Sequence, residues 1–202
     1  MKEYIIEESV ELFKQQGVKS TTMDDIARHM SISKRTIYEN FKDKEELLTA
    51  AVNYLLREDH KFSEKVFEQA DNVIEAIIEL LREGAERARK QKYYFFVMDI
   101  KKFYPKIYKE LLTRNECQNQ KKMQQLVELG ILQKVFRDDL NPEIIGYVFN
   151  QQAAGFLLRD ENLESFSIYE MFKNMTIAFI RGLCTPKGIE ILNRRVELMD
   201  RK

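Results

Sequence analysis

A short segment near the N-terminus concentrates side chains that can bind nucleic acid. Lys34 and Arg35 stand side by side, and hydroxyl and amide groups follow at Thr36, Tyr38 and Asn40. An arginine can take a guanine edge with two hydrogen bonds, while hydroxyl, amide and ammonium groups bind phosphate oxygens. A Lys-Arg pair taken alone is more often an ordinary solvated surface, so the elements around it must decide between the two interpretations.

Three helix starts surround this polar segment. Thr22, Ser33 and Asp43 are residue types that N-cap helices, and Asp25 and Glu46 follow two of them at the spacing of a capping box. Helices this short do not stand alone in water and must pack on one another. Two short helices joined by a tight turn, with a basic and hydroxyl-rich second helix, indicate a helix-turn-helix motif.

The remainder of the chain is also predicted to be helical. With 3 prolines and 7 glycines in 202 residues, long helices meet few interruptions, and 44% hydrophobic residues supply a core. Apolar spacing predicts helices over about 2–16, 23–30, 34–40, 44–70, 72–90, 93–104, 107–132, 141–158 and 166–184, followed by a short tail helix. Gly17 is placed to end the first helix in a left-handed conformation, and Ser31 and Ile32 form the tight turn. The predicted fold class is all-α.

Charge indicates nucleic acid only locally. The formal net charge is zero, and the first 46 residues hold ten acids against eight bases, so long-range attraction to DNA is not indicated. The bases nevertheless cluster around the second and third helix starts, at Arg28, Lys34, Arg35, Lys42 and Lys44. Local charge of this kind can hold phosphates where total charge cannot.

Other classes of protein find little support. The N-terminus is charged throughout, and the longest uncharged run, Ile144 to Leu158, is too short to span a bilayer, so we expect a soluble protein with no membrane partner. Two distant cysteines, Cys117 and Cys184, indicate a reducing cytoplasm. His29 and His60 are the only histidines, and no HExxH, GxSxG, Walker or GxGxxG pattern occurs, so we expect no metal, no cofactor and no enzyme activity.

Residues 5–52 resemble the DNA-binding segment of the TetR family of transcriptional regulators. The resemblance is carried by ELF and the following Gly of the first helix, then by TMDDIA, SKRTIYENF and KEELL. It implies an all-α homodimer in which residues 1–46 form a helix-turn-helix DNA-binding domain and residues 47–202 form a helical ligand-binding and dimerisation domain. Three departures bear on the operator sequence and not on the fold: Ser31 stands where the family turn usually has Gly, Arg35 stands where a small residue is common, and His or Trp is more typical near Glu39 and Asn40.

The resemblance also implies roles for single residues. Because the N-terminal half of a recognition helix enters the major groove, we expect Arg35 to read a guanine edge with Lys34 beside it. Thr22, Tyr38 and Lys44 match phosphate contacts of the family, although Tyr38 could instead be a core aromatic with its hydroxyl at the edge. The full predicted DNA-binding set, in which the other polar residues contact bases or phosphates, is Thr22, Ser33, Lys34, Arg35, Thr36, Tyr38, Asn40 and Lys44.

A ligand pocket is predicted among the apolar residues of the C-terminal domain. Aromatic residues are frequent over residues 93–104, and such side chains can line a pocket for an apolar ligand. Packing within the core is the alternative for most of them. The predicted pocket residues are Phe96, Ile100, Phe103, Met123, Val127, Phe149 and Phe156.

Two helices near the C-terminus are predicted to form a dimer. Residues 141–158 contain small residues that allow close approach, and residues 166–184 are rich in Met and Phe. Two such helices from each subunit would form a four-helix bundle. An intramolecular core is the alternative, and the family resemblance favours the dimer.

Together these features predict a ligand-responsive, sequence-specific transcriptional regulator. We expect a cytoplasmic repressor that a small apolar or amphipathic molecule releases from a palindromic double-stranded DNA operator. One alternative is a helical protein-interaction module that has lost operator binding, which the acidic balance of the first 46 residues favours. Another is a helical enzyme that uses a cavity in the C-terminal domain.

Overall fold

The fold is a succession of α-helices. The computed structural model describes residues 1–89, 92–157 and 168–200, and within them the side chains of residues 1–84, 96–110, 119–152 and 170–198. The helices of this part are α1 (Lys2–Gln16), α2 (Met23–His29), α3 (Lys34–Tyr38), α4 (Lys44–Gln69), α5 (Val73–Arg89), α6 (Lys92–Phe103), α7 (Pro105–Leu132), α8 (Pro142–Leu157), α9 (Ile168–Leu183) and α10 (Pro186–Asp200). The predicted all-α fold class is confirmed, and no strand occurs in the described ranges beyond one isolated bridge between Phe136 and Cys184.

Side-chain caps explain where the short N-terminal helices begin. The Thr22 hydroxyl accepts a hydrogen bond from the Asp25 backbone N–H at 3.1 Å, and the Asp25 carboxylate accepts one from the Thr22 N–H at 2.9 Å. Ser33 Oγ accepts from the Thr36 N–H at 3.1 Å, and Asp43 caps α4 in the same way. Each cap satisfies a backbone donor that the first helical turn leaves unpaired, so the predicted helix starts are confirmed.

Two residues with positive φ shape the turns around α1 and α2. Ser31 has a φ of 56°, so a serine adopts the left-handed conformation that the predicted tight turn requires. Gly17 has a φ of 86° but a ψ of 147°, so the chain leaves α1 extended instead of in the predicted αL conformation. The next residue, Val18, donates its backbone N–H to the Asp99 carboxylate of α6 at 2.7 Å.

One hydrophobic core joins the N-terminal helices to α6 and the start of α7. Its buried residues are Ile5, Ile6, Val10, Leu12, Phe13, Val18, Met23, Ile26, Ala27, Ile37, Phe41, Leu47, Leu48, Ala51, Val52, Phe96, Ile100 and Tyr108. This core lies in a compact unit formed by residues 1–63 and 87–112. The short helices α2 and α3 therefore gain from packing the stability that their length denies them.

The core excludes Tyr38. A core position was the alternative to a phosphate contact for this residue, and Tyr38 is 45% exposed. Ile37 and Phe41 are four residues apart and occupy the inward side, which leaves the intervening Tyr38 on the outside. The core alternative for Tyr38 was therefore wrong, and its phosphate contact stays a prediction.

A second compact unit is formed by residues 64–86 and 113–202. Its buried apolar residues are Val73, Ile74, Ile77, Ile78, Leu81, Met123, Val127, Val135, Phe136, Ile180, Leu183, Cys184 and Leu192. Gly146 brings α8 close to α7, because a Cβ added there would lie 2.8 Å from the Gln120 carbonyl oxygen. The opposite side of α8 is therefore the side turned outward.

The borders of these units differ from the predicted domain border at residue 46. Helix α4 was predicted to run without a break from Lys44, and it is continuous to Gln69 through the point where the units divide. The predicted division into 1–46 and 47–202 concerns function, and it stays a prediction. None of the described helices is long and apolar enough to cross a membrane.

Candidate nucleic-acid interface

Helix α3 presents its polar residues to solvent while its apolar residues anchor it. Ile37 is fully buried in the first core, whereas the side chains of Lys34 and Arg35 are 55% and 88% exposed. Tyr38 lies on the same outward side. A short helix held rigidly by its core, with bases and a hydroxyl directed outward, is the arrangement that enters a major groove.

Each base at the start of α3 is paired with a carboxylate. Lys34 Nζ lies 2.6 Å from Asp24 Oδ1 of α2, and this hydrogen bond raises the pKa of Lys34. Arg35 Nε donates to Oε1 of Glu39, the C-cap residue of α3, at 2.9 Å. Both pairs are exposed, so water and salt screen them and DNA phosphates can compete for the cations.

The hydroxyl groups that were predicted to contact DNA already take part in helix caps. Thr22 Oγ1 donates to Asp25 Oδ2 at 2.6 Å, and together with the backbone N–H of Thr22 this bond lowers the pKa of Asp25. Ser33 Oγ and Thr36 Oγ1 lie 2.8 Å apart. A hydroxyl has two acceptor lone pairs and one proton, so a capping hydroxyl retains limited capacity for a phosphate oxygen.

Asn40 and Lys44 are held closer to the protein than the sequence suggested. Asn40 Nδ2 donates to the Thr36 carbonyl oxygen at 2.8 Å. Lys44 Nζ donates to the Lys19 carbonyl oxygen at 3.2 Å and lies 5.9 Å from the centre of the Tyr104 ring. Burial lowers the pKa of Lys44, although the nearby carboxylates oppose this shift. Lys44 must therefore turn outward to meet a phosphate directly.

Helix α6 contributes polar contacts to the same compact unit. Besides the Asp99 bond to the Val18 N–H, the ammonium groups of Lys19 and Lys102 lie 4.5 and 5.4 Å from the centre of the Phe103 ring. Cations over aromatic faces are attracted by the ring quadrupole. The loop before α2 is thus attached to α6 by a charged hydrogen bond and by a cation–π contact.

The structure divides the predicted pocket residues between two cores. Phe96 and Ile100 are buried in the first core, and Phe103 is half-buried beside Lys19. The others that are described, Met123, Val127 and Phe149, belong to the second core. The side chain of Phe156 lies outside those described. A single pocket lined by all seven residues stays a prediction, and core packing describes the buried members.

Three functional candidates were missing from the sequence interpretation. Glu39 follows Arg35 at the i+4 spacing of a helical ion pair, so its role was readable from the sequence. Asp24 reaches Lys34 across the turn, and Asp99 lies 81 residues from Val18. No local sequence pattern predicts these two contacts, because they depend on how the helices pack.

The described residues offer little to metal or thiol chemistry. No group of three or more His, Cys, Asp or Glu side chains among them is arranged to hold a metal ion. Cys184 is buried in the second core, and burial raises its pKa to about 11. A thiol with such a pKa is largely protonated near neutral pH, so it is a poor nucleophile.

Helices α1, α2 and α3 pack into one unit, and α3, the second helix of the helix-turn-helix, directs its basic residues outward. This arrangement is that of a helix-turn-helix DNA-binding protein. Residues 5–51 match the model for bacterial regulatory proteins of the tetR family. This match assigns residues 5–51 to the DNA-binding segment of the TetR family, and the chain is a DNA-binding transcriptional regulator of this type. The predicted family membership is confirmed.

Relatives and solved structures agree with this assignment. The chain is 28% identical over 138 residues to the HTH-type transcriptional regulator YvaF of Bacillus subtilis, covering 62% of this chain and 72% of YvaF. It is 26% identical over 139 residues to IcaR of Staphylococcus epidermidis, the HTH-type negative transcriptional regulator of the biofilm operon icaADBC, covering 64% of this chain and 63% of IcaR.

Two solved structures share the fold at low sequence identity. A transcriptional regulator from Cytophaga hutchinsonii superposes with a TM-score of 0.74 at 19% identity, covering 91% of this chain and 98% of that one. A gamma-butyrolactone receptor described as ArpA-like superposes with a TM-score of 0.65 at 16% identity, covering 98% and 96%. At these identities the likeness establishes the fold alone.

Proposed function

We propose that this regulator is a homodimeric repressor that a small apolar or amphipathic molecule releases from a palindromic operator. The observation that carries the proposal is the outward face of α3, where Lys34, Arg35 and Tyr38 stand on a helix fixed from behind by Ile37. IcaR, a relative, is a negative regulator, which supports repression. The solved gamma-butyrolactone receptor of the same fold supports control by a small molecule.

Base reading is proposed for Arg35 and positioning on the backbone for the residues around it. Arg35 is the most exposed of the two α3 cations, and it can reach a guanine edge with two parallel hydrogen bonds. Thr22, Tyr38 and Lys44 bind phosphates in this proposal, and they fix the register of the helix without reading sequence. Ser33, Thr36 and Asn40 complete the interface.

Dimerisation is proposed to use α8 and α9. The outward side of α8 exposes apolar residues, with Ile144 58%, Tyr147 53% and Val148 36% exposed. Neighbouring large apolar residues on one helix face are costly in water and are usually covered by a partner. In a two-fold dimer the recognition helices would reach successive major grooves about 34–36 Å apart.

Ligand control requires an element that links the ligand site to the recognition helix. We propose that helix α4 transmits the conformational change, because it begins beside the helix-turn-helix at Lys44 and continues to Gln69. A ligand can release DNA only if it binds the conformer with the wrong helix separation more tightly than the DNA-bound one.

Selection of bound duplexes from a random DNA library tests the proposed function. The purified wild-type chain should enrich a near-palindrome whose half-sites lie about one helical turn apart. No enrichment at low salt would contradict operator binding and would favour the interaction-module alternative. Turnover that survives deletion of residues 1–46 would instead support the enzyme alternative.

A further inference from the structure

A carboxylate stands on the face of α3 that the proposed function directs towards DNA. Glu39 has a side chain 58% exposed and lies one helical turn after Arg35. A negative charge at this place repels the phosphate backbone, so it weakens binding to every DNA sequence alike. The residue therefore needs a compensating role if the helix is to bind an operator.

Stability of the free protein does not supply that role. The Arg35–Glu39 pair is an exposed i,i+4 ion pair, and such pairs contribute little to folding. Helix α3 is held instead by the burial of Ile37 and by the Ser33 cap. The remaining effect of the pair is on the orientation of the Arg35 guanidinium.

The contact uses the one arginine donor that guanine recognition does not need. Glu39 Oε1 accepts from Arg35 Nε at 2.9 Å, and among the described residues no hydrogen bond engages either Nη atom. A guanidinium is planar, so a bond at Nε limits rotation of the plane while both Nη groups keep their donors for a ligand, on a side chain that is 88% exposed. Two parallel N–H groups at that end match O6 and N7 of a guanine.

We propose that Glu39 is a positioning residue that orients Arg35 to read a guanine. The inference rests on the proposed function, in which α3 enters the major groove. The Arg35 side chain is already restrained by Glu39 in the free protein. It therefore loses less conformational entropy when it binds DNA. The charge of Glu39 weakens binding to operator and random DNA alike, so the restraint on Arg35 is what raises the ratio of specific to non-specific affinity.

The other ion pair of the interface differs from Arg35–Glu39 in the elements that it joins. Lys34 is paired with Asp24, which lies on α2, so that pair joins two helices. Arg35 lies in α3 and Glu39 is the C-cap residue that directly follows this helix, so their contact joins no two helices. A structural role is therefore available to Asp24 but not to Glu39.

Duplex selection with the full-length chain and four variants tests the proposal. The variants are Arg35→Ala, Glu39→Ala, Glu39→Gln and, as a matched control, Glu11→Ala, which removes the carboxylate of another exposed helical ion pair, with Lys14. The affinity of each protein for a fixed random duplex is measured at one salt concentration. Helical content from circular dichroism verifies that every variant is folded.

The expected result has two parts. Glu39→Ala should lose guanine preference at the same operator position as Arg35→Ala, by about tenfold, while binding the random duplex more tightly than the wild type. Glu39→Gln should keep the preference, because its amide oxygen still accepts from Nε, and it should also bind random DNA more tightly. Glu11→Ala should leave the preference unchanged.

Several outcomes would overturn the proposal while leaving the proposed function intact. Unchanged guanine preference in Glu39→Ala would show an ordinary solvated charge, and loss in Glu39→Gln equal to that in Glu39→Ala would exclude the hydrogen bond as the cause. A loss at a different base position would mean that Glu39 reads a base by itself. If the wild type enriches no sequence, the proposed function and this inference fail together.

Discussion

Individual residues of the interface should divide into those that read bases and those that hold phosphates. Arg35→Ala should weaken specific binding by roughly 1–3 kcal/mol and relax preference at one base pair, because a bidentate contact discriminates among bases. Titration of the variant against the selected operator and against scrambled duplex measures both effects. Equal losses on the two duplexes would contradict base reading by Arg35.

Lys44 should behave differently, because a phosphate contact carries no sequence information. Lys44→Ala should weaken binding by a similar factor on operator and scrambled duplex, and it should reduce the dependence of the affinity on salt. Lys44 also donates to the Lys19 carbonyl oxygen, so the thermal unfolding of the variant has to be compared with that of the wild type. A loss confined to the operator would contradict the phosphate role.

Among the helices, the attachment of α6 to the loop after α1 offers the sharpest test. Asp99→Ala removes the acceptor of the Val18 N–H, so the free energy of unfolding should fall by about 1.5–3 kcal/mol, as for other hydrogen bonds to charged groups. Asp99→Asn keeps an acceptor oxygen and should lose less. Denaturant unfolding compares the two variants, and equal stability of wild type and Asp99→Ala would contradict the assigned contact.

A comparison of the predicted helices with the observed ones shows which of their features the sequence could predict. Caps such as Thr22 and Asp43, and the left-handed Ser31, are local devices, so residue types a few positions apart predict them. The inward or outward direction of Tyr38 depends on which neighbours take the core side, so the sequence left a core position open as the alternative, and the structure excludes it. The Asp99 contact joins residues distant in sequence, so no local pattern could indicate it.

At the scale of the whole molecule, the proposed dimer depends on the outward face of α8. Tyr147 is 53% exposed, so Tyr147→Glu should leave the monomer folded while placing two like charges near a two-fold interface. Sedimentation should then detect monomers. Tyr4→Glu provides a matched control, because Tyr4 is 49% exposed on α1. A dimer that survives Tyr147→Glu would remove this part of α8 from the interface.

The central claim is that this chain binds a specific DNA sequence through a small group of cations on a molecule without net charge. The most direct measurement is the equilibrium affinity for the selected operator and for a scrambled duplex over a range of salt concentrations. We predict that both affinities fall linearly on a logarithmic scale as salt rises, through counterion release, with the operator bound at least about 10³-fold more tightly. Equal affinity for the two duplexes, or binding that salt does not weaken, would contradict the claim.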